Sequence, residues 1–167
     1  MMFGSVLEVE AALLPVLQAD PVLAGWRTEI LALPGFNDDA WKTLFPRFPA
    51  LGTYCARGEF RRDNLSAALL EVAPLALLAA GRNLRHPAQA VWGDDELPGC
   101  LAVLDRARVL VEGWRPGGNL EHITPLSWRL AWCNSQAAVA VLEIEVAINR
   151  PLIPTSAEVD AYGSTYP

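Results

Sequence analysis

The sequence predicts an α+β fold: a single domain with a mixed or antiparallel sheet of two hairpins plus a short strand, packed by an N-terminal helix and a long helix at about 97–114. Three observations carry this. Residues 122–148 alternate apolar and polar side chains with the period of a strand. Residues 97–114 repeat their apolar side chains at helical spacing. The run Ser66 to Ala80 is apolar on both sides, which suits a strand buried on both faces.

Taken in order, Val6 to Leu17 reads as the first helix, with Val6, Val9 or Glu10, Leu13 and Val16/Leu17 at helical spacing and Ser5 available as N-cap. Pro15 predicts that this helix ends near Leu14 or kinks there, because proline removes a hydrogen bond and crowds the preceding turn. Asp20-Pro21 closes the segment. Trp26 to Leu33 reads as a short strand ended by Pro34-Gly35, and Asn37 or Asp38 caps a brief helix through Trp41, Leu44 and Phe45. Leu51 to Phe60 is the outgoing strand of the first hairpin, Arg61-Arg62-Asp63-Asn64 its connection, and Ser66 to Ala80 its return. Pro74 cannot donate to a ladder, so an edge or a bulge is expected there. A helix over Ala67 to Ala80 is the competing reading, since alanine and leucine dominate.

Arg82 to Asp95 reads as a polar loop. Asp94-Asp95-Glu96 then opens the long helix, Leu97 to Trp114, with Pro98 in its first turn and Leu97, Cys100, Leu101, Leu104, Ala107, Val111 and Trp114 on its apolar face. Acidic residues there suit capping and the helix dipole better than a cation site. Pro116-Gly117-Gly118 is a turn. In the last hairpin His122, Thr124, Leu126, Trp128, Leu130 and Trp132 share one face of the outgoing strand; Leu142, Ile144, Val146 and Ile148 share one face of the return, with Glu143 and Glu145 on the other. A three-residue loop, Asn134-Ser135-Gln136, pairs Leu130 with Ala140, Trp128 with Leu142 and Leu126 with Ile144; a two-residue turn at Asn134-Ser135 would mix the faces. Residues 1–150 form the domain and 151–167 an extended C-terminal tail.

Composition bounds the function. Apolar residues make up 52% of the chain and charged residues 19%, with six tryptophans, so some apolar surface is expected to be covered by a partner. A net charge of −6 argues against tight binding to nucleic-acid phosphates, although an acidic wall lets DNA pass without adhering. Neither a secretory signal nor a membrane span is expected. Cys55, Cys100 and Cys133 lie far apart with no CxxC and are expected as buried free thiols. His86 and His122 stand outside any metal-ligand spacing, so no metal, cofactor or catalytic residue is assigned. Glu143 and Glu145, about 7 Å apart on one strand face by the strand repeat, fit a solvated face, an acid–base pair, a divalent-cation site or a channel lining. Arg57, Arg61 and Arg62, near Asp63, make a basic hairpin tip that suits an acidic partner surface.

Two stretches carry a resemblance. Ala79-Ala80-Gly81-Arg82-Asn83 closes a long strand, and Gly99-Cys100-Leu101-Ala102-Val103-Leu104-Asp105-Arg106-Ala107-Arg108-Val109-Leu110-Val111-Glu112-Gly113 follows on a helix. Together they resemble a family of small tail proteins of Mu-like phages. In that family a strand closing on alanines and Arg-Asn leads into a helix of the form Gly-x-Tyr-x-Leu-Leu-Asp/Glu, then Leu-Leu-x-Gly. Here Leu101 stands in the tyrosine position, and Gly81 separates the alanines from Arg82-Asn83. The likeness covers most of residues 5–150. It implies a tail terminator or tail-completion protein: an α+β subunit that forms a ring, a hexamer, on the head-proximal end of the tail tube and joins it to the head connector. The implied partners are further copies of the chain, the tube protein, the connector protein and passing genomic DNA without specific binding, with no membrane. The implied place is the virion, after assembly in the bacterial host cytoplasm, and no catalytic residue is implied.

On this reading Glu143 and Glu145 face the lumen, while Arg57, Arg61, Arg62, Asp63, Arg150 and Pro151 make contacts between subunits. The rivals are a head-completion or minor tail subunit, a small enzyme with a Cys-His or carboxylate site, and an accessory protein that binds one soluble partner as a monomer.

Overall fold

A computed structural model describes residues 3–33, 48–55, 58–62, 68–83, 87–134 and 136–151. The first helix, α1 (Val6–Gln18), buries Val6, Val9, Glu10, Leu13 and Leu17 along one stripe. It runs through Pro15 rather than ending at Leu14. Pro15 and Ala11 lie on the exposed side, so the Ala11 carbonyl that loses its partner meets water, while Leu13 and Leu17 anchor the helix on either side. Ser5 holds the N-cap position with extended backbone, but its side chain makes no capping bond. The Val6 N–H instead donates to Glu71 Oε1 of a distant strand at 3.3 Å. A second helix that the sequence reading took for chain closure, α2 (Pro21–Gly25), follows at once; Asp20 caps it by accepting the N–H groups of Val22 and Leu23.

The described strands form one mixed sheet, ordered β1 (Glu29–Ala32), β2 (Ala50–Cys55), β4 (Ala68–Arg82), β6 (Ala137–Pro151) and β5 (Leu120–Cys133), with β3 (Glu59–Arg62) also paired to β4. The pairs are antiparallel except β1 with β2. The expected strand Leu51 to Phe60 is thus two strands. Cys55 pairs with Leu75 and Glu59 with Val72, so four residues of chain oppose three and the register slips. Ala73 and Pro74 of β4 fall between the two pairings, opposite neither β2 nor β3, while β4 runs through Pro74 against β6 without a shift. Arg61 and Arg62 extend β3 rather than forming the connection. Strand β1 is shorter than Trp26 to Leu33, because Trp26 and Arg27 belong to the end of α2. The brief helix expected after Asn37 or Asp38 lies outside the described residues.

Strand β4 settles as a strand, not the helix that its alanines and leucines also allow. Ala73, Leu75, Leu77 and Ala79 point toward α1 and the long helix α4 (Cys100–Gly113). Leu78 and Ala80 point the other way and pack with Val139, Val141, Leu33 and Ala50. Ala138, Ala140, Leu142, Ile144, Val146 and Ile148 of β6 extend the helix-side core. Burial on both faces is what makes the central strands read as near-continuous apolar runs.

Helix α4 buries Cys100, Val103, Leu104, Ala107 and Val111 and begins at Cys100 behind an N-cap at Gly99, later than the Asp94-Asp95-Glu96 start that its acidic residues suggested. Asp94 instead closes a local turn: Oδ1 accepts the N–H groups of Glu96 at 2.9 Å and Leu97 at 2.8 Å. Leu97 stays outside the helix, 44% exposed. The expected polar loop from Arg82 to Asp95 contains a short helix, α3 (Pro87–Trp92). The end of β4, the end of α3 and the start of α4 meet backbone to backbone. A Cβ on Gly81 would lie 2.4 Å from the Ala90 carbonyl oxygen and 2.6 Å from the Cys100 nitrogen; one on Gly99 would lie 2.3 Å from the Val91 carbonyl oxygen. This junction fixes where Trp92 stands.

Candidate functional site: an apolar groove beside an irregular sheet edge

Strand β5 is the outer strand on its side of the sheet, and its pairing with β6 shifts at three places: between Leu120 and His122, between Pro125 and Ser127, and between Leu130 and Trp132. Leu130 pairs with Ala140 and Trp128 with Leu142, as the three-residue loop required. The hairpin end is different. Cys133 pairs with Ala138, and the shift at Ala131 brings Leu130 back into register. The expected Leu126–Ile144 pair is replaced by Pro125–Ile144, because Leu126 is an extra residue in the second bulge.

Each bulge moves side chains between faces. Trp128 and Leu130 share the helix-bearing face with Leu142 and Ala140. Trp132, expected beside them, lies on the opposite face and packs with Val139 and Val141. His122 and Thr124 also leave the predicted row and join the face of Glu143 and Glu145. A strand with three bulges and a proline in its middle offers a poor template for another strand, so its side chains, not its backbone edge, are the available surface.

Those side chains are apolar and exposed. Trp128 is 61% exposed, Leu126 58% and Leu130 43%, and Trp92 at the end of α3 is 72% exposed. Trp92 and Trp128 flank a groove of about 290 Å³ walled by Leu101, Leu104 and Leu142, with Asp105 and Arg108 at the rim. Arg108 donates from Nε and Nη2 to Asp105 Oδ1 at 3.1 and 2.8 Å, and from Nη1 to Glu112 at 2.9 and 2.8 Å. Asp105 first, then Glu112, raises its pKa further above the ordinary arginine value. Trp92 was missed in the sequence because it sat in a presumed loop; a tryptophan in such a stretch was the available signal.

The residues expected at the lumen lie on the other face of the sheet. His122 Nε2 is 3.0 Å from Glu145 Oε1, Ser127 donates to Glu143 Oε2 at 3.2 Å, and Arg129 reaches Glu143 at 4.0 Å. The two carboxylates are therefore flanked by basic and donor groups of β5 rather than forming a bare acidic wall. Of the residues expected between subunits, Arg61 is exposed on β3, 3.7 Å from Glu59. Arg62 ends β3, and Pro151, expected as the first residue of the tail, is instead the last residue of β6, opposite Ala68. Arg57, Asp63 and residues 152–167 lie outside the described residues. Arg150 is engaged within its own chain: it lies 3.5 Å from Glu71 Oε2 and 5.9 Å from the centre of the Phe60 ring.

The thiols differ from one another. Burial first, then Glu10 and Glu71, pushes Cys55 up to about 11, and burial pushes Cys100 up to about 12, so both are protonated near neutrality and weak as nucleophiles. Cys133 is exposed, contrary to the expectation of three buried thiols, because β5 is an edge. His86 lies outside the described residues. Among the described residues no group of three or more His, Cys, Asp or Glu is placed to hold a metal ion, and no helix is long and apolar enough to cross a membrane. A buried polar pair also escaped the sequence reading: Thr53 donates to Glu10 Oε1 at 2.7 Å beneath α1. Comparison with known proteins finds no match to any family model and none among curated proteins.

Proposed function

We propose that this chain is a structural subunit that assembles with copies of itself into a ring and ends the growth of a phage tail tube at its head-proximal side. The observation that carries the reading is an aromatic surface left over from an otherwise well-filled core: Trp92 and Trp128 at one edge of the sheet and Phe60, 58% exposed, at the other. Exposed indoles and phenyl rings on a chain with so complete a core are the mark of surface held for protein contact. The resemblance to tail terminators supplies the particular role. In this reading the β6 face bearing Glu143 and Glu145 turns toward passing DNA.

Removing the chain from the phage that encodes it and measuring tubes by electron microscopy tests the role. Overlong tubes without heads are expected. Heads lacking tails, beside tubes of normal length, would point to a head-completion subunit instead, and unaltered particles would end the structural reading. Reversing both charges, Glu143→Lys with Glu145→Lys, is expected to slow DNA ejection from assembled particles; unchanged ejection removes the lumen assignment.

A further inference from the structure

We infer that Phe60 of one copy of this chain docks into the Trp92–Trp128 groove of the next, joining copies head to tail; this rests on the self-assembly reading above. Phe60 pairs with Glu71 on β4, which places its ring on the helix-bearing face of the sheet, and Trp128 pairs with Leu142 on that same face. Strands β4 and β6 lie between them. Strand spacing and rise put the ring and the groove about 14 Å apart across the sheet and about 20 Å apart along it. They cannot meet within one chain. A projection on one edge and a hollow on the other make a heterologous contact, which repeats from copy to copy.

Size favours the match. At about 290 Å³ the groove is smaller than most ligand pockets and suits a single side chain. Trp92, Trp128 and Leu130 offer roughly 400 Å² of exposed apolar area, close to the apolar half of the ~800 Å² that each side of a stable interface buries. Arg61 and Arg150 near Phe60 lie beside Glu59 and Glu71, and Arg108 at the groove rim lies beside Asp105 and Glu112, so the apolar surfaces meet with these neighbouring charges already paired. The guanidinium of Arg150 over the Phe60 ring holds it in place for entry.

Sedimentation of the full-length chain at near-millimolar concentration tests the contact, with folding of each variant checked by circular dichroism. The wild type is expected to assemble beyond the dimer. Phe60→Ala and Trp92→Ala are each expected to weaken assembly about thirtyfold, as loss of a hot spot does. Mixing the two variants one to one restores a single good contact per pair, so a dimer is the expected limit. Phe60→Leu, which keeps an apolar knob, is expected to retain assembly. Assembly unaffected by either variant overturns the contact and leaves the ring reading standing. A groove variant that weakens assembly while Phe60→Ala does not means that another segment fills the groove, which also overturns the contact. A wild type that stays monomeric overturns both.

Discussion

Adding one methyl group at Gly81 tests the packing that positions the groove. The new Cβ would sit 2.4 Å from the Ala90 carbonyl oxygen, 2.6 Å from the Cys100 nitrogen and 3.2 Å from the Gly99 carbonyl carbon. All three are backbone atoms, so no flexible side chain can swing aside; β4 must part from both α3 and α4 by about 1 Å to reach ordinary contact distances. Overpacking of this kind costs about 1–3 kcal/mol, and the absence of a side chain that can yield puts Gly81→Ala at about 3 kcal/mol. For a domain of this size each kcal/mol moves Tm by about 2–4 °C, so a fall of roughly 6–12 °C is expected. Gly113→Ala is the control, because nothing lies within 4 Å of its Cβ at the end of α4. There the methyl group limits the unfolded chain and is expected to add about 0.5 kcal/mol. Urea and thermal unfolding followed by circular dichroism read both. A Gly81→Ala chain within about 0.5 kcal/mol of wild type, at an unchanged denaturant slope, would refute the backbone-contact argument.

Substitutions at three further positions probe local interactions. Asp20 caps α2 and also accepts from Arg106 Nε at 3.1 Å, so Asp20→Ala is expected to cost about 1–2 kcal/mol in urea unfolding. Its pKa is lowered from the ordinary 3.8, chiefly by the Arg106 hydrogen bond. A depressed pKa gives stability that is full above 3.8 and is lost as pH falls through the folded value, so the gap between wild type and Asp20→Asn is expected to narrow below about pH 4. Arg27 occupies the left-handed region, φ 54°, at the end of α2, where Thr28 N–H reaches the Leu23 carbonyl at 3.0 Å. Glycine fits that position without strain, and Arg27→Gly is expected to raise stability by about 0.5–1 kcal/mol in thermal unfolding. Thr53→Val leaves Glu10 Oε1 buried without its donor and is expected to cost about 1–3 kcal/mol, read by urea midpoint at neutral pH.

The parts of the fold legible in the sequence are those whose pattern is long and uninterrupted. Strands β4 and β6 pair over residues 68–82 and 137–151 without a slip, so the two-sided apolar run of β4 and the alternation of β6 extend far enough to be read. Helix α4 repeats its buried positions over four turns. What escaped is what breaks a period. Each bulge in β5 adds a residue and reverses the phase, so Trp132 and Leu130, two positions apart and nominally on one face, end on opposite faces. Helix α3 is six residues long, too short for a helical stripe, and hides among polar neighbours. Helix α1 survives Pro15 because the exposed side tolerates the lost bond, a fact of tertiary packing and not of local propensity. The candidate site suffers most from this limit. Trp92 and Trp128 are 36 residues apart, and only the glycine junction at Gly81, Gly93 and Gly99 brings α3 up to α4 beside the hairpin.

The irregularity of β5 bears directly on the self-assembly proposed above. A long, flat, apolar edge strand would pair with its like and keep adding chains, as fibrils do. Here the edge carries Pro125 and three bulges, yet Trp128 and Leu130 beside them stay exposed. The two features answer different risks. Bulges and proline suppress backbone pairing, which has no natural stopping point, while the indole groove offers a contact whose geometry one side chain fills once. A heterologous contact of that kind closes into a ring if its rotation divides a full turn and forms an open filament if it does not. Under the proposed contact, blunting the sheet edge while keeping the groove leaves the angle at Phe60, and not the reach of the sheet, to set how many copies would assemble.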